Sequence, residues 1–270
     1  VSADQPLIAF RNLLTDAPYT VVAGVEYPGA PAANMGNMDL LRPAQIEADA
    51  NGTVQVDFTT PSAYGWGSVV YGLGPYGGTW NIDAIVLGAH RHESAGFRTT
   101  GLTWEIAGLQ VQDIWPANAS VIIKPATPIV PGATITVRIT GAAPGQLITI
   151  PEIYVGPALA MPHLDLGYDP YHETTHAAVF RTESGREYLS LRYRRLELRP
   201  RWSTITPELW AMLDLLREDV LELRKPFWWS WAPDSRPHET YLVRHHGVAA
   251  PLPIRSAVHR SFDLRLVEAL

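Results

Sequence analysis

The sequence predicts a mainly β protein in two parts. Residues 1–158 read as an antiparallel β-sandwich of jelly-roll type, and residues 159–270 as a second β domain with one helix, at about 206–223, packed on its sheet. Three observations predict this. Short apolar or alternating segments recur between Pro- and Gly-rich turns through the first half, with no amphipathic helix among them. The second half has longer strand-like runs around a single helical stripe. Hydrophobic residues are 46% of 270 and charged residues 18%, which leaves enough apolar material for two cores.

In the first half, Asn12-Leu13-Leu14 is expected to open a strand that Tyr19-Thr20-Val21-Val22 continues. Asn51-Gly52 is a hairpin turn, since both residues tolerate positive φ. It leads into Thr53–Phe58, which alternates with period two and therefore buries one face. Further strands are expected at residues 81–90, 103–107, 121–123, 134–139, 147–150 and 153–156.

In the second half, residues 175–182 and a long run from Arg186 to Trp202 read as a hairpin turning at Ser184-Gly185. Leu189, Leu191 and Tyr193 share one parity, and Leu196 and Leu198 have the other. One extra residue reconciles the two sets, which predicts a β-bulge near Arg194-Arg195. Thr206-Pro207 is a helix start, with Thr as N-cap and Pro at the first helical position. Leu209, Met212, Leu213, Leu216 and Val220 then form an apolar stripe at helical spacing. Pro226 stops the helix, and strands are expected at Phe227–Trp231, Tyr241–Arg244 and Phe262–Val267. In the first of these Trp229 and Trp231 share a face.

The net charge of −6 lies entirely in residues 1–160, which hold 6 Lys and Arg against 12 Asp and Glu; residues 161–270 hold 15 of each. Neither half is a basic nucleic-acid surface. Only Lys124 and Lys225 are Lys; the other cations are Arg, whose planar fork suits protein interfaces. With no cysteine there is no disulfide or thiolate chemistry. No export signal is expected from the start of the sequence, and no membrane span, because no run of about 18 apolar residues occurs.

His172-Glu173-Thr174-Thr175-His176 matches the zinc-peptidase pattern, in which a helix turns both His to one metal and the Glu polarises its water. The flanking residues read as loop and strand, and Val179 and Thr182 stand where a metzincin has Gly and a third His. No metal is expected, with His172, Glu173 and His176 as the alternative. His90-Arg91-His92 and His245-His246 read as exposed histidines. The run from Gly72 to Gly78 lacks the P-loop Lys. No Ser/His/Asp set stands out, so no catalytic residue and no cofactor are expected.

Asn12-Leu13-Leu14, Pro31-Ala32-Ala33-Asn34, Asp57 and the segment from Ile82 to His90 together resemble a discoidin-type, galactose-binding-like jelly roll. The long strand, the Thr206-Pro207-Glu208 helix and the aromatic strand resemble, over roughly residues 160–270, the tail-tube-type domain of siphophage distal tail proteins. That resemblance implies a virion structural protein of the tail tip, made in the host cytoplasm. Its copies form a ring, usually hexameric, that joins tail tube to tip or baseplate hub. DNA passes through the lumen without specific binding. Arg192, Arg194, Arg195, Arg199, Arg201, Trp202, Trp229 and Trp231 are the candidate subunit-interface residues. The alternative is a carbohydrate- or receptor-binding tail component that holds a surface glycan against loop aromatics such as Trp66 or Trp80.

Overall fold

A computed structural model describes residues 4–39, 41–59, 81–88, 102–112, 119–130, 134–181, 186–247 and 260–269; residues 111–112, 176–180, 188–194, 208 and 211 are described by backbone alone. The protein is mainly β, with antiparallel sheets and one helix. It divides into two compact units. The first takes Val1–Ala160 together with Trp228–Thr240 and Leu270; the second takes Met161–Phe227 and Tyr241–Ala269. The segment 228–240, which the sequence reading assigned to the 159–270 domain, is therefore part of the first unit.

The strands of the first unit, in chain order, are β1 (Leu7–Ala9), β2 (Tyr19–Ala23), β3 (Val25–Glu26), β4 (Ala44–Glu47), β5 (Val54–Thr59), β6 (Ala84–Leu87) and β7 (Thr103–Ile106). They continue with β8 (Leu109–Gln112), β9 (Val121–Ile123), β10 (Thr134–Thr140), β11 (Leu147–Ile150), β12 (Ile153–Gly156) and β13 (Leu159–Ala160). A five-stranded sheet runs β2-β5-β10-β7-β8, and two three-stranded sheets run β11-β4-β3 and β12-β6-β9. All three sheets feed one core. Val54, Val56, Phe58, Ile135, Val137, Ile139 and Trp104 of the large sheet share it with Ala44, Ile46, Ile148, Ile150, Ile85, Leu87, Ile153 and Val155 of the small ones. This is the sandwich that the alternation predicts. In β5 and β10 every second residue is buried, while Gln55, Asp57, Thr136 and Arg138 stay on the wetter face.

Asn51-Gly52 is a turn but not a hairpin: β4 before it pairs with β11 and β3, and β5 after it pairs with β2 and β10. Gly52 sits at φ 68°, and Asp49 accepts hydrogen bonds from the backbone N–H groups of Asn51 (2.9 Å) and Thr53 (2.8 Å). Asn12-Leu13-Leu14 does not open a strand; the first strand is β1, and residues 13–16 form a turn. The Asn12 side chain explains the break. Its Oδ1 accepts from the N–H groups of Leu14 (3.2 Å) and Val155 (3.1 Å), and its Nδ2 donates to the Ile153 carbonyl (2.7 Å), so backbone that a strand would pair is bonded to a side chain instead.

The second unit contains β14 (Glu173–Arg181), β15 (Glu187–Leu198), β16 (Arg201–Ile205) and helix α1 (Pro207–Leu216). The chain goes on through β17 (Phe227–Ser230), β18 (Thr240–His245), β19 (Arg260–Asp263) and β20 (Leu266–Glu268). The long strand expected over Arg186–Trp202 is thus two strands. Pro200 has no N–H for the ladder and separates them, and its carbonyl accepts from the Leu264 N–H (3.0 Å). The run Phe262–Val267 is likewise split, between β19 and β20. Helix α1 begins at Pro207 with Thr206 extended before it, though Thr206 makes no side-chain cap. From Arg217 to Leu221 it widens into a π turn. The Glu222 N–H bonds five residues back to the Arg217 carbonyl (2.9 Å), and Val220 and Leu221 are both buried. Arg224, at φ 52°, ends the turn before Pro226.

One buried charge in the first unit sets a testable pH dependence. Glu152, between β11 and β12, is 1% exposed. Its Oε1 accepts from Asn12 Nδ2 at 3.3 Å, and Oε2 has no well-formed hydrogen bond among the described residues. Burial pushes its pKa well above the usual carboxylate range, and the nearby backbone N–H groups of Met38 and Asp39 only partly offset this. A carboxyl raised on folding contributes stability that is complete below its unfolded pKa and is lost as pH rises through the folded value. Thermal melts should therefore show stability falling as pH rises above the ordinary carboxylate range, and Glu152→Gln should remove that slope. An unchanged slope in the variant contradicts the assignment.

Candidate functional site

The longest paired element of the second unit is the β14–β15 hairpin. Its register runs from Glu173↔Leu196 to His176↔Tyr193, slips by one residue, and resumes from Ala177↔Leu191 to Arg181↔Glu187. Arg192 is the extra residue. The bulge inferred from side-chain parity is therefore real, two positions before the predicted pair. On its far side β15 meets β20 at only two register positions, Glu197↔Val267 and Leu198↔Leu266. From Glu187 to Leu196 that edge of β15 pairs with no strand among the described residues, and neither does the outer edge of β14.

A single carboxylate fastens the base of this arm. Glu197 has a side chain only 7% exposed. Its Oε2 accepts from Thr174 Oγ1 of β14 at 3.0 Å. Its Oε1 accepts from Arg265 Nε and Nη2, both at 2.7 Å, and from Arg199 Nη2 at 3.1 Å. The Glu197 N–H donates to the His172 carbonyl at 2.9 Å. Both arm strands and the residue leading into β20 thus converge on one buried charge. Sequence reasoning missed it, because a lone Glu between two Leu in a strand reads as an outward-facing solvated residue.

The eight interface candidates separate into groups. Arg192 and Arg194 lie in β15 and are described by backbone alone, while Arg195 is half-buried beside them. Arg199 and Arg201 are exposed, at 66% and 58% of the side chain, and each is already paired: Arg199 with Glu197, and Arg201 with Asp263 at 3.3 Å. Trp202 is core. It is 1% exposed, stacks on Phe262 with ring centroids 5.7 Å apart, and donates its Nε1–H to the Pro162 carbonyl at 2.8 Å. Trp229 is fully buried, as is Trp228, so neither offers surface to a neighbour. Trp231 is half-buried within the first unit, where its Nε1–H donates to Glu239 (2.8 Å) and the Arg236 guanidinium lies 5.5 Å above its ring. Burial inside the chain's own units corrects the interface expectation for Trp202 and Trp229.

The zinc alternative fails on geometry. His172 precedes β14, and Glu173 to His176 lie within it. On a strand, residues four apart are separated by about 13 Å, far beyond the span of two ligands on one ion. Among the described residues no three His, Asp or Glu side chains gather at metal-binding distance. His245 is buried and His246 is exposed, which corrects the expectation that both are exposed. His90 to His92, Gly72 to Gly78, Trp66 and Trp80 lie outside the described residues.

No family model matches this chain. No curated protein matches it either. Among solved structures, a histidine mutant of the lectin-binding domain of lectinolysin complexed with Lewis b aligns with 56% of this chain and 98% of its own, at 11% identity and a TM-score of 0.33. A fucose-binding module of Streptococcus pneumoniae, SpX-3, aligns with 54% and 97%, at 9% identity and the same TM-score. Superpositions this loose assign neither fold nor ligand.

The electrostatics of Glu197 generate a second pH dependence, opposite in sign to that of Glu152. Burial raises its pKa, but the hydrogen bonds from Thr174, Arg265 and Arg199 together outweigh burial and hold it at about 2, against an ordinary 4.5. A carboxylate depressed on folding contributes stability that is complete above its unfolded pKa and is lost as pH falls toward the folded value. The second unit should lose stability between about pH 4.5 and about pH 2, measured as a shifted midpoint in denaturant melts. Glu197→Gln should flatten that acid limb and lower the neutral-pH midpoint. A variant that keeps the full acid limb contradicts the role.

Proposed function

We propose that this chain is a structural, non-catalytic subunit that joins copies of itself through the β14–β15 hairpin. We further propose that the resulting ring belongs to a siphophage tail tip, between the tail tube and the hub proteins, with DNA passing through its lumen. One observation carries the reading: a hairpin of 9 and 12 residues whose two outer edges, beyond a two-position foothold on β20, pair with no strand among the described residues. The hairpin ends a sheet that continues through β20 to β18, but beyond its foothold it is a two-stranded ribbon, and long open edges recruit further strands. A neighbouring copy supplies such a strand at no cost in sequence, and repetition of a heterologous contact closes a ring when its rotation permits. The tail-tip setting rests on the order of hairpin, Thr206-Pro207-Glu208 helix and aromatic strand in the sequence. The paired state of Arg199 and Arg201 fits the same reading, since neither adds a free cation to a conduit for DNA.

The test is the mass of the purified chain in solution. Mass photometry and sedimentation should give a closed oligomer several times the 29.8 kDa of one chain. Replacing residues 176–193 with a short Gly-Ser turn should return a folded monomer. A chain that stays monomeric at all concentrations contradicts the proposal. If that monomer binds a glycan array and loses binding on Trp66→Ala or Trp80→Ala, the sugar-binding alternative takes its place.

A further inference from the structure

We infer that the β14–β15 hairpin is a pivoting arm and that the Glu197 carboxylate is the pin that sets its angle on the body of the second unit. Three features of the backbone and side chains converge on this.

The first is the foothold. Two register positions, Glu197↔Val267 and Leu198↔Leu266, are the arm's ladder to β20, while the arm's own ladder extends through nine pairs. A sheet joined over so short a row resists bending at that row far less than within the hairpin.

The second is the bulge. It falls between His176 and Ala177, two residues past Thr174, so it separates the pinned base from the distal ladder of Ala177↔Leu191 to Arg181↔Glu187. A bulge bends its strand and increases the local twist, which concentrates any change of direction there. The third is the convergence of partners. Thr174 belongs to one arm strand and Glu197 to the other, and Arg265 belongs to the body, immediately before β20. With Glu197 ionised, its two oxygens span all three. Remove the charge and the arm keeps its internal ladder and the buried Leu198, but its tie to Arg265 is gone.

This places the arm among hinge-type elements, whose motion is absorbed at a few residues while both sides stay folded. Glu197 is a positioning residue in this account. On the assembly reading, the pivot lets one arm reach a neighbour's edge at the angle the ring requires, but the pivot itself belongs to the single chain and is tested there.

The experiment is amide hydrogen exchange on the full chain, diluted until it is monomeric. It compares the wild type with Glu197→Gln and Arg265→Gln. In both variants the hydrogen-bonded amides at the base of the arm, within Glu173–His176 and Tyr193–Leu198, should exchange about tenfold faster or more, beyond any acceleration shared by β18 and by the distal ladder, which turns as a unit. Arg265 is half-exposed, so its variant remains informative should Glu197→Gln fold poorly. Thr174→Val should give a smaller, arm-confined effect. Equal acceleration of arm and body means that Glu197 merely stabilises the whole unit, and no acceleration means that there is no pin; either result overturns the inference. Because the readout is on monomer, a failure to assemble leaves it untouched.

Discussion

Every strand must find partners for its backbone N–H and C=O groups, from another strand, from a side chain or from water, and the economy of this chain turns on where that requirement is left open. The sandwich meets it by closing three antiparallel sheets on one core, with Asn12 bonding the backbone where a strand stops. Among the described residues, the second unit leaves it open along the outer edges of the β14–β15 hairpin.

Charge is used sparingly and in opposite senses in the two units. Glu152 is buried with little to compensate it, and burial drives it toward the neutral form. Glu197 is buried among donors that outweigh desolvation and hold it ionised. The contrast follows from partners: one amide and some backbone N–H groups for the first, and a threonine with two guanidinium groups for the second. With its partners in place the Glu197 cluster stabilises the second unit, and its directional bonds also fix the geometry at the base of the arm.

Much of this was legible in the residues. Period-two alternation located β5 and β10, and Asn51-Gly52 located the turn before β5 but not the hairpin expected there. Thr206-Pro207 marked the helix start. The parity conflict between Leu191 and Leu196 revealed that one residue too many was present, although it did not say that Arg192 was the one. Other features were not legible, for physical reasons. The break at Leu264-Arg265 follows from pairings made elsewhere in the second unit, whereas the break at Pro200 was readable from proline's missing N–H. The π turn at Arg217–Leu221 has no local signal, since helical spacing fits Val220 without it. Adjacent Trp228 and Trp229 should alternate between faces, yet both are buried, and alternation says nothing about how many faces are covered. The His172–His176 motif matched letter by letter and failed because the chain there is a strand. Glu197 was silent, because its partners Thr174 and Arg265 come from distant parts of the chain.

On the proposed assembly, the edge of β14 that pairs with no strand among the described residues is filled by a strand from another copy. A cryo-EM reconstruction of the assembled particle, resolved well enough to separate strands, addresses it directly. The expected result is continuous density about 4.8 Å from β14, running alongside it and belonging to the adjacent subunit. An assembled particle in which β14 still borders solvent, or in which its edge is covered by the same chain, would contradict it.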